Sequence, residues 1–158
     1  MIHINEIGNY VALDATSVSY LRWIASPHRQ IKIGDPAFAM CNERKGYLRG
    51  RFFGKLYRSH IIVFYLSVGR WPVGVIDHID GNTKNNNPSN LREITSAQNL
   101  QNTKKAKGFS KTSSGKYKAS IKNPSTGKYE YLGSFLSEEE AHAVYIEAKK
   151  RLHPFYIA

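Results

Sequence analysis

Apolar and polar positions change rhythm three times along this chain, and each rhythm predicts a different kind of element. Over residues 1–57, short apolar runs alternate with turn formers, as in Tyr10-Val11-Ala12-Leu13 and Gln30-Ile31-Lys32-Ile33. This predicts a small sheet with Leu21, Trp23 and Ile24 in its core, and a ribbon over Lys45 to Tyr57. The run Val73 to Ile76, preceded by Trp71-Pro72, reads as a short strand that delivers Asp77 and His78 to a loop. Gly81 to Ser89, with three consecutive asparagines and Pro88, favours turns because these side chains bond their own backbone. Leu91 to Ile94 returns as a second strand, and Thr95 or Ser96 can cap a short helix running to Asn102.

Farther on the period becomes strictly two. In Lys116-Tyr117-Lys118-Ala119-Ser120-Ile121-Lys122, alternation places Lys116, Lys118, Ser120 and Lys122 on one face of a strand and Tyr117, Ala119 and Ile121 on the other. Asn123 to Gly127 is a hairpin turn, and Tyr129 to Phe135 is the returning strand. Ser137 and Glu140 have capping-box spacing, after which Ala141, Val144, Tyr145, Ala148 and Leu152 recur at helical spacing. The pattern predicts an α+β chain in four stretches. A β-rich extension covers 1–57, a strand-loop-strand-helix core 58–103, a basic linker 104–108, and a three-stranded antiparallel sheet packed on one helix 109–158.

Charge narrows the partner. The 158 residues carry 23 Lys plus Arg against 12 Asp plus Glu, a formal charge of +11, which calls for a polyanion. The cations cluster. Arg44 to Arg58 holds six and Lys104 to Lys128 eight, with no acidic residue in either block. A basic amphipathic helix of the membrane-surface kind is not evident, so nucleic acid is preferred over an anionic membrane. Arg49, Arg51, Lys104, Lys105, Lys116, Lys118 and Lys122 are the candidate phosphate contacts. The lone Cys41 excludes an internal disulfide and a paired-cysteine zinc site, and no apolar run approaches a membrane span. A cytoplasmic protein, monomeric and with no obligate protein partner, is expected.

Between the basic blocks lies a nearly neutral segment with reactive side chains. Phosphodiester hydrolysis needs a base for water, a divalent cation against the developing charge, and hard oxygen ligands for that cation. Asp77 and Asn99 offer the oxygens, suited to one Mg2+ or Mn2+ per active site, and His78 offers a base near neutral pH. Neighbours on a strand point to opposite faces, so Asp77 and His78 share a site only if the strand ends or bends there. Gly81 just beyond is suited to such a bend. Asp80, Asn82, Asn85, Asn86 and Asn87 read as loop formers, any of which could touch phosphate. His3, His28, His142 and His153 have no partner pattern.

Asp77-His78-x-Asp80-Gly81-Asn82, followed by Asn86, Asn90-Leu91-Arg92 and Asn99, resembles the HNH motif of phage and intron homing endonucleases. The resemblance implies a ββα-metal (His-Me finger) nuclease core and cleavage of double-stranded DNA, in the bacterial host of a phage if phage-encoded. By position, it makes His78 the general base, Asp77 and Asn99 the metal ligands, and Asn90 the asparagine that braces the loop. His60-Ile61-Ile62-Val63 resembles the family's upstream His-Arg-aliphatic segment with Ile61 in place of Arg, which makes His60 a secondary candidate beside Asn86, Arg92 and Asn102. Residues 107–156, through Tyr131-Leu132-Gly133-Ser134-Phe135 and the Glu-rich helix start, resemble the Apetala-two (ethylene-response-factor) DNA-binding domain. In that family the sheet lies in the major groove. The matching outward positions are Ser110, Thr112, Lys118, Ser120, Lys122, Tyr129 and Tyr131. Two rivals stand beside a nuclease: a non-catalytic DNA-binding regulator that keeps the motif as scaffold, and an RNA binder. The latter is disfavoured because a pair of stacking aromatics is not expected on the sheet.

Overall fold

The computed structural model describes residues 4–41, 46–102 and 106–157. The chain divides into two compact units, Met1–Ser96 and Ala97–Ala158.

In the first unit, β1 (Val11–Leu13) and β2 (Leu21–Trp23) form an antiparallel hairpin. Next, β3 (Met40–Cys41), β4 (Leu48–Phe52) and β5 (Lys55–Arg58) form a three-stranded antiparallel sheet in the order β3-β4-β5. Helix α1 (Ser59–Val68) follows directly and ends at Gly69, whose φ of 78° lets its N–H turn back to the carbonyl of Tyr65. Then β6 (Val75–His78) pairs antiparallel with β7 (Leu91–Ile94), matching Asp77 to Arg92 and His78 to Leu91. One core unites these pieces, with Ile7, Leu21, Phe38, Ile62, Val63 and Ile76 buried together. Burial of α1 explains its composition: Ile62, Val63 and Phe64 are all buried, and the run is apolar on most sides.

Two sequence expectations fail in this unit. Gln30 to Ile33 is a turn, not a strand: Ile31 N donates to the His28 carbonyl, Asp35 N to the Lys32 carbonyl, and Gly34 takes a φ of 91°. The Ser26 hydroxyl holds the carbonyls of both His28 and Ile31. Local bonding thus meets the backbone needs that a sheet neighbour would otherwise serve. Ile24 faces solvent, because Leu21 and Trp23 alternate inward in β2 and the strand ends there.

The second unit begins in the helical turn α2 (Ser96–Asn99), continued as a 3-10 turn over Leu100–Asn102. Strands β8 (Phe109–Lys111), β9 (Tyr117–Lys122) and β10 (Tyr129–Phe135) form an antiparallel sheet with β9 central. Helix α3 (Glu138–Leu152) crosses one face, burying Tyr145 and Ala148 against Ile121. Its N-cap is Ser137, whose hydroxyl accepts from Glu140 N at 3.1 Å. Asn102 Oδ1 accepts from Ile157 N and Gln101 Oε1 from Phe155 N, so residues just before the expected linker are bonded to the end of the chain. Among the described residues, no helix is long and apolar enough to cross a membrane.

Candidate active site

His78 is the last residue of β6, and only 3% of it is exposed. Alternation puts it on the same inward face as buried Ile76. There its imidazole meets two other rings: His60 at 5.1 Å between centroids, nearly perpendicular, and Tyr47 at 5.9 Å. Tyr47 also lies 5.1 Å from His60 and carries the Arg58 guanidinium over its ring at 5.2 Å. His60 comes from the first turn of α1 and is 2% exposed, and its Nδ1 is enclosed without a hydrogen bond. Burial first, then the nearby His78 and Arg58, depresses its basicity to a pKa of about 3. His60 is therefore neutral at physiological pH.

The remaining contact of His78 is polar. Its Nε2 lies 3.2 Å from Asn86 Oδ1, and Asn86 is wholly buried. An asparagine expected to shape the loop and to be open to phosphate is therefore closed to phosphate and committed to the imidazole.

The loop after His78 is tied by one side chain. Asn90 Oδ1 accepts from Asp80 N at 3.0 Å, while its Nδ2 donates to Asp80 Oδ1 and to the Asn85 carbonyl, each at 2.9 Å. The Asn90 carbonyl also accepts from Ile79 N, extending the β6–β7 pairing by one step. Asp80 accepts from Asn85 Nδ2, which with Asn90 and Asn82 N holds its carboxyl below the usual range. The asparagine-rich sequence thus forms a loop cross-linked to both strands, and Asn90 is its centre.

Asp77 points away from this cluster. Both Nε and Nη2 of Arg92, directly opposite on β7, donate to its Oδ2 at 2.9 and 2.7 Å. Asp77 and His78 thus retain strand alternation through the end of β6, so the bend expected to bring them to one face is not seen within the strand. Among the described residues no group of three or more His, Cys, Asp or Glu is gathered to hold a metal. The sequence-derived ligands, Asp77 in the first unit and Asn99 in the second, would offer hard oxygens, one from a carboxylate and one from an amide. That chemistry fits Mg2+ or Mn2+, ions that keep much of their shell as water and substrate phosphate. Asn99 and Asn102 belong to the second unit, Asn99 exposed in α2 and Asn102 bonded to Ile157 N.

The cationic candidates also separate. Arg51, exposed on β4, donates to the Gly54 carbonyl across the β4–β5 turn, whereas Arg49 is half-buried with its Nε enclosed. Lys104 and Lys105, like Arg44 and Lys45, lie outside the described residues. In the second unit the expected face forms: Ser110, Lys118, Ser120, Lys122, Tyr129 and Tyr131 project opposite α3, with Ala119 and Ile121 buried beneath. Lys116 is exposed at the start of β9, beside the turn that Thr112 closes onto its carbonyl. Tyr129 and Tyr131 are 74% and 61% exposed, two residues apart on one strand. The sheet therefore does carry a pair of surface aromatics, contrary to expectation. Lys118 Nζ lies 5.6 Å from the Tyr131 ring centroid.

Sequence spacing missed Tyr47 and Ser19, whose carbonyl faces Asn86. Neither belongs to a motif, and only the fold brings them near His78.

Comparison with known proteins locates a family within the first unit and slightly beyond it. The family model for HNH endonucleases matches residues 57–101, the stretch holding His60, Asp77, His78, Asn86, Asn90, Arg92 and Asn99. The chain is 35% identical over 107 residues to a protein of Acanthamoeba polyphaga mimivirus named an uncharacterized HNH endonuclease. That similarity covers 65% of this chain and 56% of the relative, so the chain spans little more than half of the relative's length. No solved structure matches the chain.

Proposed function

We propose that the chain is a metal-dependent DNA endonuclease of homing type, which hydrolyses phosphodiester bonds by nicking or double-strand cleavage. One observation carries the reading: within the HNH-matched segment, a histidine ends a strand beside a loop that a single asparagine, Asn90, ties together. In this reading the cross-linked loop fixes the imidazole of the residue that would deprotonate water.

In this reading His78 takes a proton from water as its oxygen attacks phosphorus in line, and the bond to the 3′ oxygen breaks. The products are a 5′ phosphate and a 3′ hydroxyl. Asp77 and Asn99 are the residues to hold a divalent ion, which when bound supplies positive charge beside the scissile phosphate. Arg92 fixes the Asp77 carboxylate from across the sheet. Asn90 keeps the ββα-metal loop in shape. The outward face of the β8–β10 sheet, similar to the Apetala-two domain, adds affinity for double-stranded DNA through its lysines. The protein acts as a monomer.

A second reading is a non-catalytic DNA-binding regulator. The ion pair of Asp77 with Arg92 and the enclosure of His78 favour it, since both candidate groups are already engaged. Plasmid cleavage separates the two. Supercoiled DNA incubated with the protein and Mg2+ or Mn2+ is expected to become nicked or linear, and EDTA to prevent it. His78→Ala should lower the rate by about 10²-fold or more while gel-shift binding persists. Intact plasmid under tight binding, across several DNA sources, would establish the regulator instead.

A further inference from the structure

Which ring nitrogen of a histidine carries the proton is set by the partner of the other nitrogen. For His78 that partner is the wholly buried side chain of Asn86, and Asn86 is itself oriented from elsewhere. Its Nδ2 lies 3.4 Å from the backbone carbonyl of Ser19, in the turn between β1 and β2. A carbonyl can only accept, so the amide must turn its NH2 toward Ser19 and its oxygen toward His78. That oxygen also can only accept, so Nε2 of His78 must donate to it.

The Ser19 carbonyl is held in place. Ser19 is fully buried, its hydroxyl donates to the Ala37 carbonyl, and the neighbouring Ser17 hydroxyl donates to the Leu21 carbonyl at 2.6 Å. Tyr20, between Ser19 and β2, takes a φ of 63°, part of the tight turn that aims the Ser19 carbonyl inward.

We infer that Asn86 is a positioning residue that holds neutral His78 as the Nε2–H tautomer, leaving the lone pair on Nδ1, and that the β1–β2 turn enforces this through Ser19. The N-terminal hairpin then has a part in the chemistry: it orients the base through two hydrogen bonds while touching neither substrate nor water. His60 and Tyr47 restrict the ring by packing but offer no polar partner to Nε2, so the tautomer rests on Asn86. This rests on the reading of His78 as the base, though the tautomer can be measured without any cleavage.

The test is long-range 1H–15N correlation of the histidine rings in the full chain at alkaline pH, where free imidazoles are neutral, with the His78 signals identified by their loss in His78→Gln. The expected pattern is a protonated, pyrrole-type Nε2 and an unprotonated, pyridine-type Nδ1. Asn86→Leu, which has no acceptor, should lose the single tautomer and lower kcat about 10- to 100-fold with little change in KM for DNA. Asn86→Asp keeps an oxygen that accepts from Nε2–H but loses the donor to the Ser19 carbonyl, so it should retain the Nε2–H pattern relative to Asn86→Leu while the link to the β1–β2 turn is broken. A wild-type spectrum with the proton on Nδ1, or one unchanged in Asn86→Leu, overturns the inference. The wild-type spectrum decides even if a variant fails to fold. Wild-type protein with the Nε2–H pattern that cuts no DNA would instead overturn the nuclease reading and leave the positioning role intact.

Discussion

At the scale of single residues, the cluster around His78 makes a statement about acid stability. His60 has its pKa pushed down from 6.5 to about 3, chiefly because burial penalises the charged ring. The unfolded chain takes up a proton at this residue near pH 6.5, while the folded chain refuses it until about pH 3. Between those values the unfolded state binds more protons, so stability falls as pH falls. The contribution of neutral His60 is complete above pH 6.5 and declines steadily toward pH 3. Urea denaturation across this window should show that decline, and His60→Phe, which keeps a ring in the site without a titrating group, should flatten it. An unchanged pH profile in the variant would show that other groups govern acid unfolding. His60 was legible from sequence only as a family position. Its neutral, enclosed state depends on α1 being buried, which local pattern does not encode.

Among elements, the second unit shows how sheet and helix depend on single backbone positions. Gly108 takes a φ of 76°, and a Cβ placed there would lie 1.9 Å from Cγ of Tyr145. The chain passes so close to the α3 ring that only glycine fits, for steric and conformational reasons together. Gly108→Ala should therefore destabilise this unit by more than the roughly 1 kcal/mol expected for Ser137→Ala, which removes only the α3 cap. Hydrogen exchange of β9 and β10 amides measures both, and equal losses would show that the Tyr145 ring can move aside. These elements were among the most legible. Tyr129–Phe135 and Leu91–Ile94 form as strands over the ranges that their pattern predicts, because period-two alternation and turn residues are local signals. Gln30 to Ile33 misled because an apolar alternation of four residues is too short to outweigh turn bonding by Ser26 and Gly34.

For the protein taken entire, the charge of +11 should govern DNA binding more than any one side chain does. DNA affinity should fall linearly on a log–log plot against salt, with a slope set by the phosphates neutralised. Replacing both Lys118 and Lys122 by Ala should reduce that slope by about 2, roughly one for each phosphate that is no longer neutralised. The weakening should be similar across unrelated duplexes where these lysines contact phosphate alone, and sequence-dependent where they reach base edges. Competition with single-stranded RNA tests the exposed Tyr129 and Tyr131 pair, because stacking platforms suit unpaired bases. Stronger competition by RNA than by duplex DNA would move the sheet away from duplex recognition.

What local chemistry can encode was readable along the chain. Turn-forming asparagines, the two-residue period of β9 and β10, the helical period of α3 and the two basic blocks are properties of neighbouring residues; they predicted the α+β class, and the basic blocks called for a polyanionic partner that the salt titration tests. The positions of Asp77, His78 and Asn90 were equally legible, as a motif of fixed spacing. Their surroundings were not, because those are set by folding. Asn86 reaches Ser19 across 67 residues, and Tyr47 and His60 converge on His78 from elsewhere in the chain. Such contacts arise because one hydrophobic core draws β2, α1 and β6 together, and burial then selects which polar atoms must pair. The orientation of Asp77 toward Arg92, away from His78, has the same origin: strand alternation was known, but which face the core would claim was not.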